Sequence, residues 1–235
     1  MVRSCRQMAI RTRYHRNRVT IEENGCILSE LPRSPGPTHS VWDVMAAAVG
    51  VFAQGPRLAM LGFSGGGMVG AMRALGCDQE ITGVDLWSEG FGVFESIAAE
   101  WCGSVRFYPE DAVTWLRRQR SPYDVIVEDL SVPEDDDIVK PEVSLSLLPD
   151  LMGRKITTGG VIISNLLPTP GFTWETLISS SRIGPGILIE FKSYHNRVLI
   201  QGSGIGKARS SGRILRQHMH ILGSALAQDI RVRTL

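Results

Sequence analysis

Between Leu58 and Gly70 the sequence reads Leu-Ala-Met-Leu-Gly-Phe-Ser-Gly-Gly-Gly-Met-Val-Gly, an apolar run that meets four glycines within six positions and continues as a helical pattern. Glycine lets the backbone turn tightly and come close to a ligand, and the first turn of a helix offers unpaired N–H groups. A junction of this kind is a cradle for a small polar molecule; a tight turn without a ligand is the plainer reading. Gly65-x-Gly67-x-x-Gly70 also matches the dinucleotide-binding fingerprint letter for letter. Twenty residues beyond Gly65, Asp85 closes a second apolar run, where a carboxylate can accept two hydrogen bonds from ribose hydroxyls. Taken alone, Asp85 is equally explained as the cap of the next helix. Asp111 follows the run Val105–Tyr108, and Asp129 follows the run that ends at Val127.

These acids are useful only if one scaffold gathers them, and the chain has the rhythm of such a scaffold. Apolar runs at 58–61, 81–84, 105–108, 124–127 and 161–164 alternate with helix-like stretches at 68–75, 91–101, 112–118 and 142–152. Strands alternating with helices of this length predict βαβ crossovers, hence an α/β fold with a doubly wound, mostly parallel sheet. In such a sheet the carboxyl ends of the strands face the ligand crevice. Asp85, Asp111 and Asp129 all fall there.

Before this core, Val19–Leu31 holds two β-prone runs around Asn24-Gly25, a hairpin signal. Arg11–Tyr14 alternates like a solvated edge strand. Pro32 to Pro37 breaks regular structure, and Ser40 is placed to cap a helix running to about Gln54. After Gly171, runs at 187–191 and 197–200 separated by a short turn predict an antiparallel hairpin at the sheet edge. The Gly/Ser-rich stretch 202–212 reads as a flexible linker, and Arg213 to Ile230 as a terminal helix. The expected organisation is therefore an Arg-rich start and small β element at 1–37, an α/β domain at 38–202, and a linker with helix at 203–235.

With 43% hydrophobic and 21% charged residues the chain falls in the globular class. Its apolar stretches stop well short of the roughly 20 residues that cross a bilayer, so neither a span nor a membrane partner is expected. Formal charge is +1, but six arginines and no acid lie before Glu22, leaving the remainder net acidic. That start reads as an exposed strand with residues upstream; an organellar presequence and a nucleic-acid arm are the other readings, and no nucleic-acid partner is expected. Cys5, Cys26, Cys77 and Cys102 form no pair with metal-ligand spacing, and His218 and His220 point to different helix faces. No metal is expected, and reduced thiols fit a cytoplasmic protein.

Read together and in order, the glycine loop, Gly-Val-Asp85, Glu-Asp111-Ala112, Tyr-Asp-Val-Ile-Val-Glu-Asp129-Leu-Ser-Val-Pro and Gly159-Gly160-Val-Ile-Ile resemble the class I S-adenosylmethionine-dependent methyltransferase fold. Within that fold they are most similar to the spermidine synthase (polyamine aminopropyltransferase) branch. The resemblance covers roughly residues 19 to 201 and is specific for the fold rather than the reaction. It implies a Rossmann-like domain binding S-adenosylmethionine or decarboxylated S-adenosylmethionine. Gly62, Ser64, Gly65 and Gly67 would surround the amino-acid or aminopropyl part, Asp85 would hold the ribose, and Asp111 with Ala112 would meet the adenine. Asp129 matches the acid that accepts a proton from the attacking amine. A homodimer is implied by analogy.

The departures are equally informative. Where spermidine synthases carry an acid in the glycine loop this chain has Gly65, where they carry a second acid after the catalytic one it has Val132, and their Gln-Thr-Glu-Asp-Glu-like segment is replaced by Pro37-Thr-His-Ser-Val-Trp-Asp43. Those acids serve cations, since burying an unpaired ammonium costs several kcal/mol. The run Glu134 to Asp137 could attract a cation, although a solvated acidic loop is the commoner reason for such a run. The leading expectation is a transferase acting on a small-molecule acceptor. A true polyamine aminopropyltransferase is the runner-up, and a non-catalytic nucleoside-binding module is the reading from another class. An NAD oxidoreductase ranks last, since no Tyr-x-x-x-Lys pair appears.

Overall fold

A computed structural model describes residues 10–23, 25–134 and 137–235. The Arg-rich residues before Ile10, Asn24 of the turn, and Asp135 and Asp136 of the acidic run lie outside the described residues. At the N-terminal end β1 (Arg11–Tyr14), β2 (Arg18–Glu23) and β3 (Cys26–Pro32) form an antiparallel sheet in that order. As its alternation predicts, β1 is the exposed edge, whereas β2 and β3 bury Val19, Ile21 and Leu31.

The main sheet is built from β4 (Arg57–Leu61), β5 (Glu80–Asp85), β6 (Val105–Pro109), β7 (Tyr123–Glu128) and β10 (Ile156–Leu166), all mutually parallel. Antiparallel β11 (Gly186–Phe191), β12 (Arg197–Gln201) and β13 (Ile230–Thr234) extend it, giving the order β13-β11-β12-β10-β7-β4-β5-β6. This is the expected doubly wound α/β sheet. Its central strands are apolar on both faces because both are covered. On β4, Leu58 and Met60 pack on one side with α1 (Val41–Phe52), α2 (Gly67–Ala74), α3 (Glu89–Ala98) and α8 (Ala208–Leu222), while Ala59 and Leu61 meet α4 (Ala112–Arg118) and α6 (Leu148–Lys155) on the other. Each such Leu buried in full stabilises the fold by about 1.5–3 kcal/mol.

Four local expectations are corrected. Ser40 occupies the N-cap of α1, but its hydroxyl bonds Thr38 and makes no cap bond; the buried Asp43 carboxylate instead accepts from the Thr38 N–H at 2.7 Å and the His39 N–H at 2.9 Å. The 142–152 helix is two pieces, α5 (Glu142–Leu145) and α6, the latter with Pro149 in its first turn. The terminal helix begins five residues early: the small residues of 208–212 are helical because Gly212 sits where a Cβ would lie 3.1 Å from Val232 of β13, so smallness serves close packing. That helix stops at Gly223, and the alternating Ile-Arg-Val-Arg-Thr becomes β13, which takes the sheet edge that the β11–β12 hairpin was expected to hold.

Two elements gave no usable signal. A two-stranded hairpin of β8 (Val132–Glu134) and β9 (Asp137–Val139) brackets the acidic run, and α7 (Trp174–Ser181) covers a small cluster of Leu166, Leu188 and Leu199. Among the described residues no helix is long and apolar enough to cross a membrane.

Candidate functional site

The carboxyl ends of β4, β5, β6 and β7 open on one cavity of about 690 Å³. Topology explains its place. From β4 the chain runs to β5 and β6 on one side and later to β7 and β10 on the other, and connections leaving in opposite directions open a crevice between β4 and β7.

At the tip of β4 the chain turns at Gly62, whose φ of 85° suits glycine. The N–H groups of Gly62 and Phe63 donate to the Val84 carbonyl at 2.9 and 3.2 Å, and the Asp129 N–H donates to the Leu61 carbonyl at 2.8 Å. A Cβ on Gly62 would lie 2.5 Å from the Asp129 carbonyl oxygen, so the glycine is what lets the loop and the Asp129 segment touch. Ser64 also holds a positive φ, 45°, a conformation that non-glycine residues adopt mainly where the surroundings enforce it. Asp85 supplies the enforcement: its Oδ2 accepts the Ser64 N–H at 2.7 Å and its Oδ1 accepts the Trp87 N–H at 3.2 Å. Burial pushes the Asp85 carboxyl above the usual aspartate range, opposed by these backbone donors.

Asp111 caps α4, its Oδ1 accepting the N–H and O–H of Thr114, both at 2.8 Å. It lines the cavity together with Ala112, with Oδ2 outside the capping bonds. Asp129 follows β7. Its Oδ2 accepts the Trp42 indole N–H at 2.9 Å and its Oδ1 accepts the Asn165 amide at 2.7 Å, while Asn196 donates to Asn165 Oδ1 at 3.1 Å and so orients that amide. Burial pushes the Asp129 carboxyl up; the bonds from Asn165 and Trp42 and the charge of Lys140 pull it down.

Thus Gly62, Ser64, Gly67, Asp85, Asp111, Ala112 and Asp129 surround one cavity. Gly65 is placed differently. It is not among the cavity residues, and a Cβ there would lie 2.3 Å from Ile21 Cδ1, because the N-terminal sheet presses down on the loop. The same sheet takes the Gly67 N–H onto Ser29 Oγ at 3.1 Å. The absent acid at position 65 therefore has a steric reason: β2 occupies the space a longer side chain would need.

Several residues of the site escaped sequence reasoning. Trp42 and Asn165, the partners of Asp129, lie 87 and 36 positions from it, and Trp42 stands in the segment notable above for what it lacks. Glu23 at the end of β2 also faces the cavity; it is 6% exposed, its Oε2 has no hydrogen-bond partner among the described residues, and burial pushes its carboxyl up. The one weak signal for it was an acid at the end of an apolar β2. From the acidic run, Asp137 lines the cavity and Glu134 does not. With Glu30 and Glu110 the cavity has seven carboxylates on its wall and, among the described residues, no Lys or Arg.

Neither a family model nor a curated protein sequence matches the chain. Solved structures do. A probable spermidine synthase from Corynebacterium glutamicum superposes with a TM-score of 0.72 at 14% identity, covering 95% of this chain and 86% of that one. Human methyltransferase-like protein 13, solved with SAH, gives 0.57 at 14% identity, covering 79% and 92%. A spermidine synthase in complex with the transition-state analogue AdoDATO gives 0.58 at 9% identity, covering 84% and 73%. At these identities the likeness speaks for the fold, and it agrees with the mostly parallel sheet, the N-terminal sheet and the C-terminal hairpin: the chain has the class I methyltransferase fold.

Proposed function

We propose that the cavity binds an adenosine bearing a sulfonium, S-adenosylmethionine or its decarboxylated form, and that the protein transfers an alkyl group from it to a small cationic acceptor. The observation that carries this reading is the charge of the wall: no Lys or Arg lines it among the described residues, and of its seven carboxylates only Glu30 and Glu110 are paired with arginines outside the wall, Arg18 and Arg118. Such a wall attracts a sulfonium and an ammonium and repels anions. The neighbours solved with SAH and with AdoDATO support the nucleoside part.

In the proposed step a neutral amine nitrogen of the acceptor, whose charge lies on another nitrogen, attacks the carbon next to sulfur. The C–S bond breaks, its electron pair stays on sulfur as a neutral thioether, and the proton released from nitrogen passes to Asp129. Asp129 suits this because Trp42 and Asn165 hold both its oxygens without adding a positive charge of their own. Positioning of the two reactants contributes the rest of the rate. Asp85 would serve the ribose with the lone pairs left over from Ser64 and Trp87, and Asp111 the adenine through Oδ2.

The finer choice between methyl and aminopropyl transfer turns on the donor's carboxylate. With no Lys or Arg on the wall among the described residues, that group would meet neutral donors and no cationic side chain, which favours the decarboxylated donor and aminopropyl transfer as a second reading. Calorimetric titration with S-adenosylmethionine, decarboxylated S-adenosylmethionine, methylthioadenosine and NAD separates these. We expect the sulfonium nucleosides to bind tightest. NAD binding with no affinity for either sulfonium would overturn the proposal, and tight binding without transfer to any amine would leave a non-catalytic module.

A further inference from the structure

Beneath Asp129 lies an ion pair that the proposed reaction does not use. Lys140 and Glu128 have side chains 0% and 2% exposed, with Lys140 Nζ 2.5 Å from Glu128 Oε1. Lys140 Nζ also donates to the Leu130 carbonyl at 2.9 Å, and Glu128 Oε1 accepts from Ser144 Oγ at 2.9 Å and from the Leu130 N–H at 3.2 Å. On the backbone, the Lys140 N–H donates to Thr169 Oγ1 at 3.3 Å.

The position of this pair gives it two consequences. Leu130 lies just before β8 and Lys140 just after β9, so one ammonium ties both feet of the β8–β9 hairpin to the tip of β7. That hairpin supplies Val132, Pro133, Asp137 and Ile138 to the cavity wall. Glu128 and Asp129 are also consecutive carboxylates at the end of one strand. A buried ion pair adds little to stability compared with apolar residues of similar size, so its presence under a working acid calls for another reason.

We propose that Lys140 is a positioning residue that holds the β8–β9 hairpin over the cavity and cancels the charge of Glu128, leaving Asp129 free to ionise. The role rests on reading Asp129 as the proton acceptor, but the charge balance is measured without ligand or turnover. Other titratable groups on the same wall are Asp137 of β9, Glu23 of β2, and Tyr194 and His195 of the β11–β12 loop, so the titration is repeated in a His195→Gln background.

The test is a carboxyl-carbon NMR titration of Asp129 in the full chain, the signal being assigned by its loss in Asp129→Asn. Lys140→Met leaves the Glu128 carboxylate without its cation, and the Asp129 midpoint is expected to rise by about one pH unit, the lower end of what a nearby opposite charge exerts. Glu128→Gln leaves the Lys140 cation in excess, and the midpoint is expected to fall. The double variant Glu128→Gln/Lys140→Met, with neither charge, is expected to return near the wild-type midpoint while amide hydrogen exchange across 130–140 speeds up at least about tenfold, because the tie is gone. Midpoints that shift in one direction in both single variants, or in neither, overturn the charge balance. Unchanged exchange in the double variant overturns the tie. Should Lys140→Met fail to fold, Glu128→Gln and the double variant decide both points. If the wild type binds no sulfonium nucleoside, the reading of the site fails while the ion-pair measurements stand.

Discussion

The cavity has two walls of different construction. One is made by the tips of β4 to β7, where acids are held by backbone or near neighbours: Asp85 by the Ser64 and Trp87 N–H groups, Asp111 by Thr114 three positions on. The other is assembled from segments far apart in the chain, namely the N-terminal sheet, the start of α1, the β8–β9 hairpin, the end of β10 and the β11–β12 loop, through contacts such as Trp42 to Asp129 and Asn196 to Asn165. In the proposed reaction the first wall recognises the nucleoside, and the second wall decides what the nucleoside meets. Asp129 belongs to both, since β7 delivers it and the second wall orients it.

That contrast can be broken by substitution. The largest effect is expected where the walls meet: Asp129→Asn should retain nucleoside binding yet slow transfer by about 10² to 10⁴-fold, as for loss of a general base. An Asn variant of full activity in a transfer assay would remove Asp129 from the chemistry. Next, Asp85→Ala acts on the first wall alone. It should weaken nucleoside binding by about 1.5–3 kcal/mol, the scale of hydrogen bonds to a charged group, and equal calorimetric affinities in variant and wild type would show that Asp85 serves only the Ser64 turn.

Smaller effects belong to the second wall. Asn165→Ala and Trp42→Phe each delete one donor to Asp129 and should each cost about 0.5–1.5 kcal/mol of transition-state stabilisation, read as a drop in kcat with little change in nucleoside affinity. A change confined to nucleoside affinity would move these residues to the other wall. The smallest and most pH-dependent effect is expected at Glu23. Burial raises its folded-state pKa, so its contribution to stability is fully present below its unfolded value of ~4.3 and is lost as pH rises through the folded value. Glu23→Gln should therefore raise the thermal midpoint at pH 7, leave it unchanged near pH ~3, and weaken binding of a diamine probe. A variant less stable at pH 7 would mean that Glu23 has a cationic partner in the folded protein.

The first wall was legible before any coordinates. Glycines at a strand–helix junction, and acids one position past apolar runs, follow from the period-2 and period-3.6 patterns, and the parallel sheet then sends all strand ends to one side. Where the reading went astray, a local signal had two physical uses. Gly65 was placed with the ligand because glycines permit close approach, but the group that approaches is Ile21. Ser210, Ser211 and Gly212 have linker composition, yet the missing side chain at Gly212 lets α8 pack on β13. Ser40 is a good cap by type, but its hydroxyl bonds Thr38, and the buried Asp43 carboxylate ties the chain before the helix by accepting the N–H groups of Thr38 and His39.

By itself the sequence determined the α/β sheet, its crevice and the acids Asp85, Asp111 and Asp129, since these depend on patterns repeated within a few residues and on the handedness of βαβ crossovers. Tertiary structure alone decided that Trp42 and Asn165 clamp Asp129, that Lys140 pairs with Glu128 beneath it, and that the buried Glu23 faces the cavity with no partner for Oε2 among the described residues. The physical reason is range: a hydrogen bond needs its partners about 3 Å apart, and which side chains come that close across tens of residues is settled by how the sheets, hairpins and helices pack.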